Sequence, residues 1–176
     1  MDAAFKASST TDYVVIQVWC SVGPNHYLVD QRRGRMDFVE TLRAIADLSA
    51  RYPQALLNMN EDKANGPAIL SALKDKMPGL VAVEPFGSKE ARAAAVEPLF
   101  AAGNVILPHE VDARYPDGRV GAPWVTGWVH ELTTFPAGAH DDQVDAATQY
   151  LNHVAGRSGA LLEAAMANLD SFFGGG

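Results

Sequence analysis

The sequence predicts an α/β domain in which a mixed β-sheet is flanked by helices. Two stretches rich in β-branched and aromatic residues lie close together near the start, parted only by a turn. After them, strand-like and helix-like stretches alternate. The length of 176 residues, with 48% hydrophobic and 20% charged residues, suits one soluble domain able to bury a real core.

The elements follow in order. Residues 13–19 (Tyr-Val-Val-Ile-Gln-Val-Trp) read as a strand, the Gly23-Pro24-Asn25 turn reverses the chain, and residues 26–30 form a second short strand. Asp37 is placed to cap a helix opening at Phe38, with Glu40 in its first turn. Phe38, Leu42, Ile45, Ala46 and Leu48 keep helical spacing, and Tyr52-Pro53 ends the segment. Residues 55–60 are a short strand, followed by a helix carrying Ile69, Leu70, Leu73 and Met77. Residues 80–84 form another buried strand, 89–102 an alanine-rich helix stopped by Gly103, and 104–108 a brief strand. Residues 110–122 are turn-rich and read as a loop or small hairpin. Pro123 then suits the start of a helix with Trp124, Val125, Trp128, Val129 and Leu132. Phe135-Pro136 breaks it, Asp141 opens a helix running to Val154, and a last amphipathic helix ends in a glycine tail. Residues 1–155 form the main domain and 156–176 the terminal helix and tail.

Composition excludes several classes. The longest apolar runs are too short to span a bilayer, and the first residues carry no signal-peptide pattern, so no membrane partner is expected. The single Cys20 excludes an internal disulfide framework, suits a reducing cytoplasm, and follows an apolar strand where burial is expected. A Gly-Lys-Ser/Thr phosphate loop and a nucleophile elbow are both missing, and the five histidines lack zinc-ligand spacing. The net charge of −7 runs against simple nucleic-acid binding, so any action on DNA needs bound cations or a basic partner to offset repulsion.

Acidic residues fall at three places that the topology can bring together: Asp2, the Glu61-Asp62 pair after a short strand, and His140-Asp141-Asp142 with Asp145 at a helix start. Such carboxylates suit hard divalent cations, which take oxygen ligands. Asp142 and Asp145, three apart, share a helical face. Asp141 is also a natural N-cap, and acids in a first turn favour the helix dipole. Spacing alone therefore points only to a generic metal site.

The strings taken in order are more specific. Residues 2–6 (Asp-Ala-Ala-Phe-Lys), 11–19, 30–38 (Asp-Gln-Arg-Arg-Gly-Arg-Met-Asp-Phe), 61–69 (Glu-Asp-Lys-Ala-Asn-Gly-Pro-Ala-Ile), 87–92 (Gly-Ser-Lys-Glu-Ala-Arg), 102–108 and 135–146 resemble the nuclease domain of the large terminase subunit of tailed bacteriophages. The resemblance covers residues 2–153. It implies an RNase H-like fold and an endonuclease that cuts concatemeric viral double-stranded DNA with two Mg²⁺ or Mn²⁺ ions in the host cytoplasm. It also implies work alongside a motor domain, a small terminase subunit and a portal. On this resemblance Asp2 is the first metal ligand, Asp62 or Glu61 the second with Asp62 favoured, and Asp142 or Asp145 the third. Asp2, Asp62 and Asp142 are the catalytic set.

Lys63, Lys89 and Arg92 are candidates for gripping phosphates, and each also reads as solvated surface charge; the basic cluster Arg32, Arg33 and Arg35 reads either as a DNA-contacting hairpin edge or as a solvated turn. The sequence departs from the family pattern in having only Met1 before Asp2, so that either the chain is cut at this point or the first strand is incomplete, and in lacking the preceding motor domain. The rival readings are another RNase H-like nuclease, of the junction resolvase or transposase type, and an inactive domain that docks motor or portal partners.

Overall fold

The computed structural model describes residues 13–55, 58–61, 66–75, 80–83 and 87–156. The elements run β1 (Val14–Val22), β2 (Asn25–Gly34), α1 (Phe38–Arg51), β3 (Asn58–Glu61), α2 (Gly66–Leu73), β4 (Leu80–Val83), α3 (Lys89–Ala101), β5 (Val105–Ile106), α4 (Trp124–Thr134) and α5 (142–156). This is the expected α/β class with a mixed sheet. β1 and β2 are antiparallel, β5 adds to β2 in parallel, and β3 and β4 form a separate parallel pair with Asn58 opposite Leu80.

The β1–β2 loop holds only two residues, since Val22 faces Asn25; Gly23 takes φ 58°, which a hairpin this tight requires of its first residue. β2 runs four residues further than its hydrophobicity suggests. Gln31 to Gly34 pair with Val14 to Gln17, so charged residues that read as a turn are held in the ladder. α1 begins as expected: Asp37 accepts from Glu40 N at 2.8 Å, and the Glu40 carboxylate accepts from Asp37 N at 2.9 Å. One stripe of α1 (Phe38, Leu42, Ile45) packs on Ile69 and Leu73 of α2, tying the β3–β4 unit to the rest. Ala46, read as part of that stripe, is exposed.

A bulge in β2 decides which side chains meet. Val18 faces Asp30 but Trp19 faces Leu28, leaving Val29 without a partner opposite it. The extra residue inverts the alternation of side chains beyond it. Leu28 therefore packs with Trp128 and Ala147, and Gln31 reaches Gln143, while Asp30 turns to the other face toward Arg51 and Tyr52 of α1. Helices α4 and α5 cover one face of the hairpin and the end of α1 meets the opposite one. Trp19, Phe100, Leu107, Trp124 and Leu132 close around the buried trio, and Trp19 stacks on Tyr150 with centroids 4.8 Å apart.

Asp30 is completely buried. Its Oδ2 accepts from Arg51 Nη1 at 3.0 Å, Tyr52 Oη at 3.0 Å and Arg119 Nη2 at 2.7 Å, and its Oδ1 accepts from Gln31 N at 2.8 Å. Asp117 bridges the same two arginines, at 3.0 Å from Arg51 and 2.7 Å from Arg119. This network staples the loop after β5 to the sheet. The loop is a small hairpin, as one of the two readings had it, with Arg114 bridged to Val120.

Cys20, expected to be buried, is exposed. Its neighbours Gln17, Trp19 and Ser21 point to the α5 face, so Cys20 falls on the other face near the hairpin tip. The expectations for Met77, Glu84 and the last amphipathic helix lie outside the described residues.

Candidate functional site

The start of α5 gathers Asp141, Asp142 and Asp145 with residues from β2, α3 and α4. Asp141 is the residue the sequence offers as N-cap, yet its side chain does not cap: Asp141 Oδ2 lies 2.6 Å from Lys89 Nζ. The cap comes from α4. Glu131 Oε1 accepts from the backbone N–H of Gln143 at 2.6 Å and of Val144 at 3.4 Å, and Oε2 accepts from Gln143 Nε2 at 2.6 Å. The physical reason is competition: Lys89 draws the Asp141 carboxylate away, and a buried acid from the neighbouring helix fills the vacated position.

Asp142 and Asp145 do not share one environment, although they are three apart. Asp142 faces β2, with Arg33 Nη2 at 3.8 Å and His140 Nδ1 at 4.0 Å. Asp145 faces α3, with Lys89 Nζ at 2.7 Å and Arg92 Nη2 at 2.9 Å. Burial, and then the nearby Glu131 carboxylate, push the Asp142 carboxyl above the usual range, with Arg33 partly offsetting them. For Lys89 burial opposes charge, but hydrogen bonds to Asp141 and Asp145 outweigh it and hold the ammonium protonated.

Arg92 also donates to Gly87 O at 3.1 Å, and its own carbonyl accepts from Asn152 Nδ2 at 3.0 Å, so it locks the start of α3 to α5. Arg33 stands 3.3 Å from Glu131 with its guanidinium 3.9 Å over the Tyr13 ring. Lys89, Arg92 and Arg33, expected as phosphate-gripping or surface groups, are thus all engaged by carboxylates. Arg32 and Arg35 remain exposed, Arg35 at 5.3 Å from the Tyr13 ring centroid. An open cleft of about 600 Å³ is lined by Arg33, His130, Glu131, Thr134, His140 and Gln143 among others, and Arg33 and His140 are the groups that face Asp142.

The structure therefore brings Asp142 together with Arg33, and Asp145 together with Lys89 and Arg92, as two separate groups. Asp2, Asp62 and Lys63 lie outside the described residues, and Glu61 is described only as the end of β3. Glu131 and Gln143 were missed by sequence reasoning. A signal for Glu131 existed: Trp124, Trp128 and Glu131 follow i, i+4, i+7 spacing, which places an acid on the buried stripe of α4.

Carboxylate oxygens at the start of α5 match the hard-oxygen chemistry of Mg²⁺ or Mn²⁺. Among the described residues no group of three His, Cys, Asp or Glu is placed to hold a metal ion.

Over this geometry, the family described as a terminase RNase H-like domain matches residues 1–154 of the 176. The chain belongs to that family. No curated protein matches it. The resemblance read from residues 2–153 and the RNase H-like α/β fold class hold, and the chain is a nuclease domain of the terminase type. Among the described residues, no helix of this terminase domain is long and apolar enough to cross a membrane.

Proposed function

We propose that this chain is a divalent-metal-dependent endonuclease that cuts double-stranded DNA during viral genome packaging, with low sequence preference of its own. The observation that carries the reading is the start of α5 in a terminase-type domain: Asp142 stands half-buried against Arg33 and His140, both of which line an open cleft, and its helix is capped by a residue from elsewhere.

On this reading Asp142 holds the metal together with Asp2 and Asp62, with Glu61 the alternative at the second position and Asp145 the alternative at the third. Bound Mg²⁺ or Mn²⁺, two ions in this proposal, supplies Lewis acidity at the scissile phosphate. The chain's own residues prepare the place. Arg33 balances the negative charge of Asp142 and Glu131, and Lys89 and Arg92 hold Asp141 and Asp145 apart from Asp142. Phosphate contacts away from the cut fall to the exposed Arg32 and Arg35 and to Lys63. With a net charge of −7 the chain relies on bound cations and on the packaging partners (motor domain, small terminase, portal) for DNA affinity. The nuclease unit is taken as residues 1–155, with 156–176 as a terminal helix and tail, working in the host cytoplasm.

The test is nicking of supercoiled plasmid with Mn²⁺. EDTA should abolish it, and Asp142→Asn and Asp62→Ala should each lower the rate at least ~100-fold, as expected for loss of a metal ligand. Nicking that persists in EDTA, or full activity in both variants, refutes the proposal.

A further inference from the structure

Asp142 is the first residue of α5, so its direction follows from whatever fixes the start of that helix. The amides of Gln143 and Val144 are donors that no intrahelical carbonyl can satisfy, and the residue just before a helix ordinarily accepts from them. Here that residue, Asp141, is turned to Lys89, and the acceptor is a carboxylate 12 residues earlier on another helix. Glu131 is 6% exposed, and burying a carboxylate is costly unless it is well hydrogen-bonded. A side chain at position 141 would cap α5 at less expense, but that would draw the Asp141 carboxylate back onto the helix.

Glu131 is itself held at the end of a chain of hydrogen bonds crossing the sheet. Trp19 Nε1 donates to Gln17 Oε1 at 3.0 Å, Gln17 Nε2 to Gln31 Oε1 at 2.9 Å, Gln31 Nε2 to Gln143 Oε1 at 2.7 Å, and Gln143 Nε2 to Glu131 Oε2 at 2.6 Å. Every link runs in one direction, so each amide polarises the next and the carboxylate terminates the series as its strongest acceptor. The series also spans β1, β2, α5 and α4, which makes the orientation of α5 a property of the whole hairpin layer.

We infer that Glu131 is a positioning residue for Asp142: a helix cap supplied from α4 that sets the direction of the α5 start and leaves Asp141 and Asp142 free of capping. Arg33, 3.3 Å from Glu131 and 3.8 Å from Asp142, neutralises the pair without hydrogen-bonding through Nη2 to either. The inference rests on the nuclease reading for the consequence of that positioning.

The experiment compares the full chain with Glu131→Ala, Glu131→Gln and Asp142→Asn. Two quantities are read: the Mn²⁺ concentration that half-broadens the Asp142 backbone amide signal, and the plasmid-nicking rate, both well below each variant's Tm. Glu131→Ala should raise the half-broadening concentration at least ~5-fold and slow nicking ~10–100-fold, the range for residues that orient metal ligands. Glu131→Gln keeps one acceptor oxygen and should fall between Glu131→Ala and wild type. A purely structural Glu131 would lower Tm and leave the half-broadening concentration of the folded protein unchanged. That result in Glu131→Ala, or in Glu131→Gln should the alanine variant not fold, overturns the inference while Asp142→Asn still tests the nuclease reading. If wild type does not nick DNA but Mn²⁺ broadens Asp142 with the predicted shift in Glu131→Ala, the nuclease reading falls and the positioning role stands. Absence of broadening at Asp142 in wild type overturns the positioning role.

Discussion

Replacing Asp30 by Asn removes one charge from the most enclosed ion-pair network described. The carboxylate has no exposed surface and accepts four hydrogen bonds, from Arg51, Tyr52, Arg119 and Gln31 N. Removing one partner of a buried ion pair costs ~3–5 kcal/mol. The two arginines are 26% and 43% exposed, so water can take up part of their released charge, and the Arg119 pair in particular is discounted. Asn also keeps the shape and an acceptor for Gln31 N. A loss of about 2–3 kcal/mol is therefore expected, near that of one or two charged hydrogen bonds. For a chain of this length it corresponds to a fall in Tm of roughly 5–10 °C. The assay is thermal unfolding by circular dichroism at pH 7, paired with limited trypsinolysis at Arg114 and Arg119 of the stapled loop. Arg119→Ala should free the same loop for about 1 kcal/mol, because its side chain already meets solvent. An Asp30→Asn protein melting within ~1 °C of wild type, with unchanged cleavage, refutes the network's role in stability.

The remaining predictions concern the hairpin, the loop and the substrate. Burial lowers the His26 pKa from its ordinary 6.5. A group depressed in this way leaves stability intact while both states are neutral, above 6.5. Stability is lost as pH falls from there toward the folded-state pKa, because the unfolded chain takes up the proton first. Tm should thus drop on acidification through this window, and His26→Gln should flatten that part of the curve; identical slopes would contradict it. Gly121→Ala should cost about 2–4 kcal/mol in a denaturant melt, since φ is 83° and a Cβ would meet Glu110 O at 2.8 Å and Val111 O at 3.1 Å. Gly103→Ala, also at positive φ but with nothing within 4 Å, should cost only about 1–2 kcal/mol; equal losses would show that the close approach is unimportant. Linear and branched DNA should be cut at comparable rates, whereas a strong preference for branched junctions would favour a resolvase-type activity.

Sequence alone determined the class, the element order and the acidic cluster. Asp37, Glu40 and the Phe38–Leu42–Ile45 spacing are local signals, and they read correctly because capping and amphipathicity act within a few residues. What only the tertiary structure decided concerns charges that choose among distant partners. Asp141 looks like a cap in isolation, but Lys89, 52 residues away, competes for it, and Glu131 takes over the amides. Asp142 and Asp145 look like one pair, but cations on β2 and α3 give them separate surroundings. Arg33 and Arg92 look like free cations, and folding places each against an acid. One unpaired residue, Val29, determines that Gln31 faces α5 while Asp30 faces α1, and no alternation rule applied to β2 anticipates it. Local backbone geometry is encoded residue by residue, whereas a long-range ion pair depends on which elements meet, and that is settled only when the layers close.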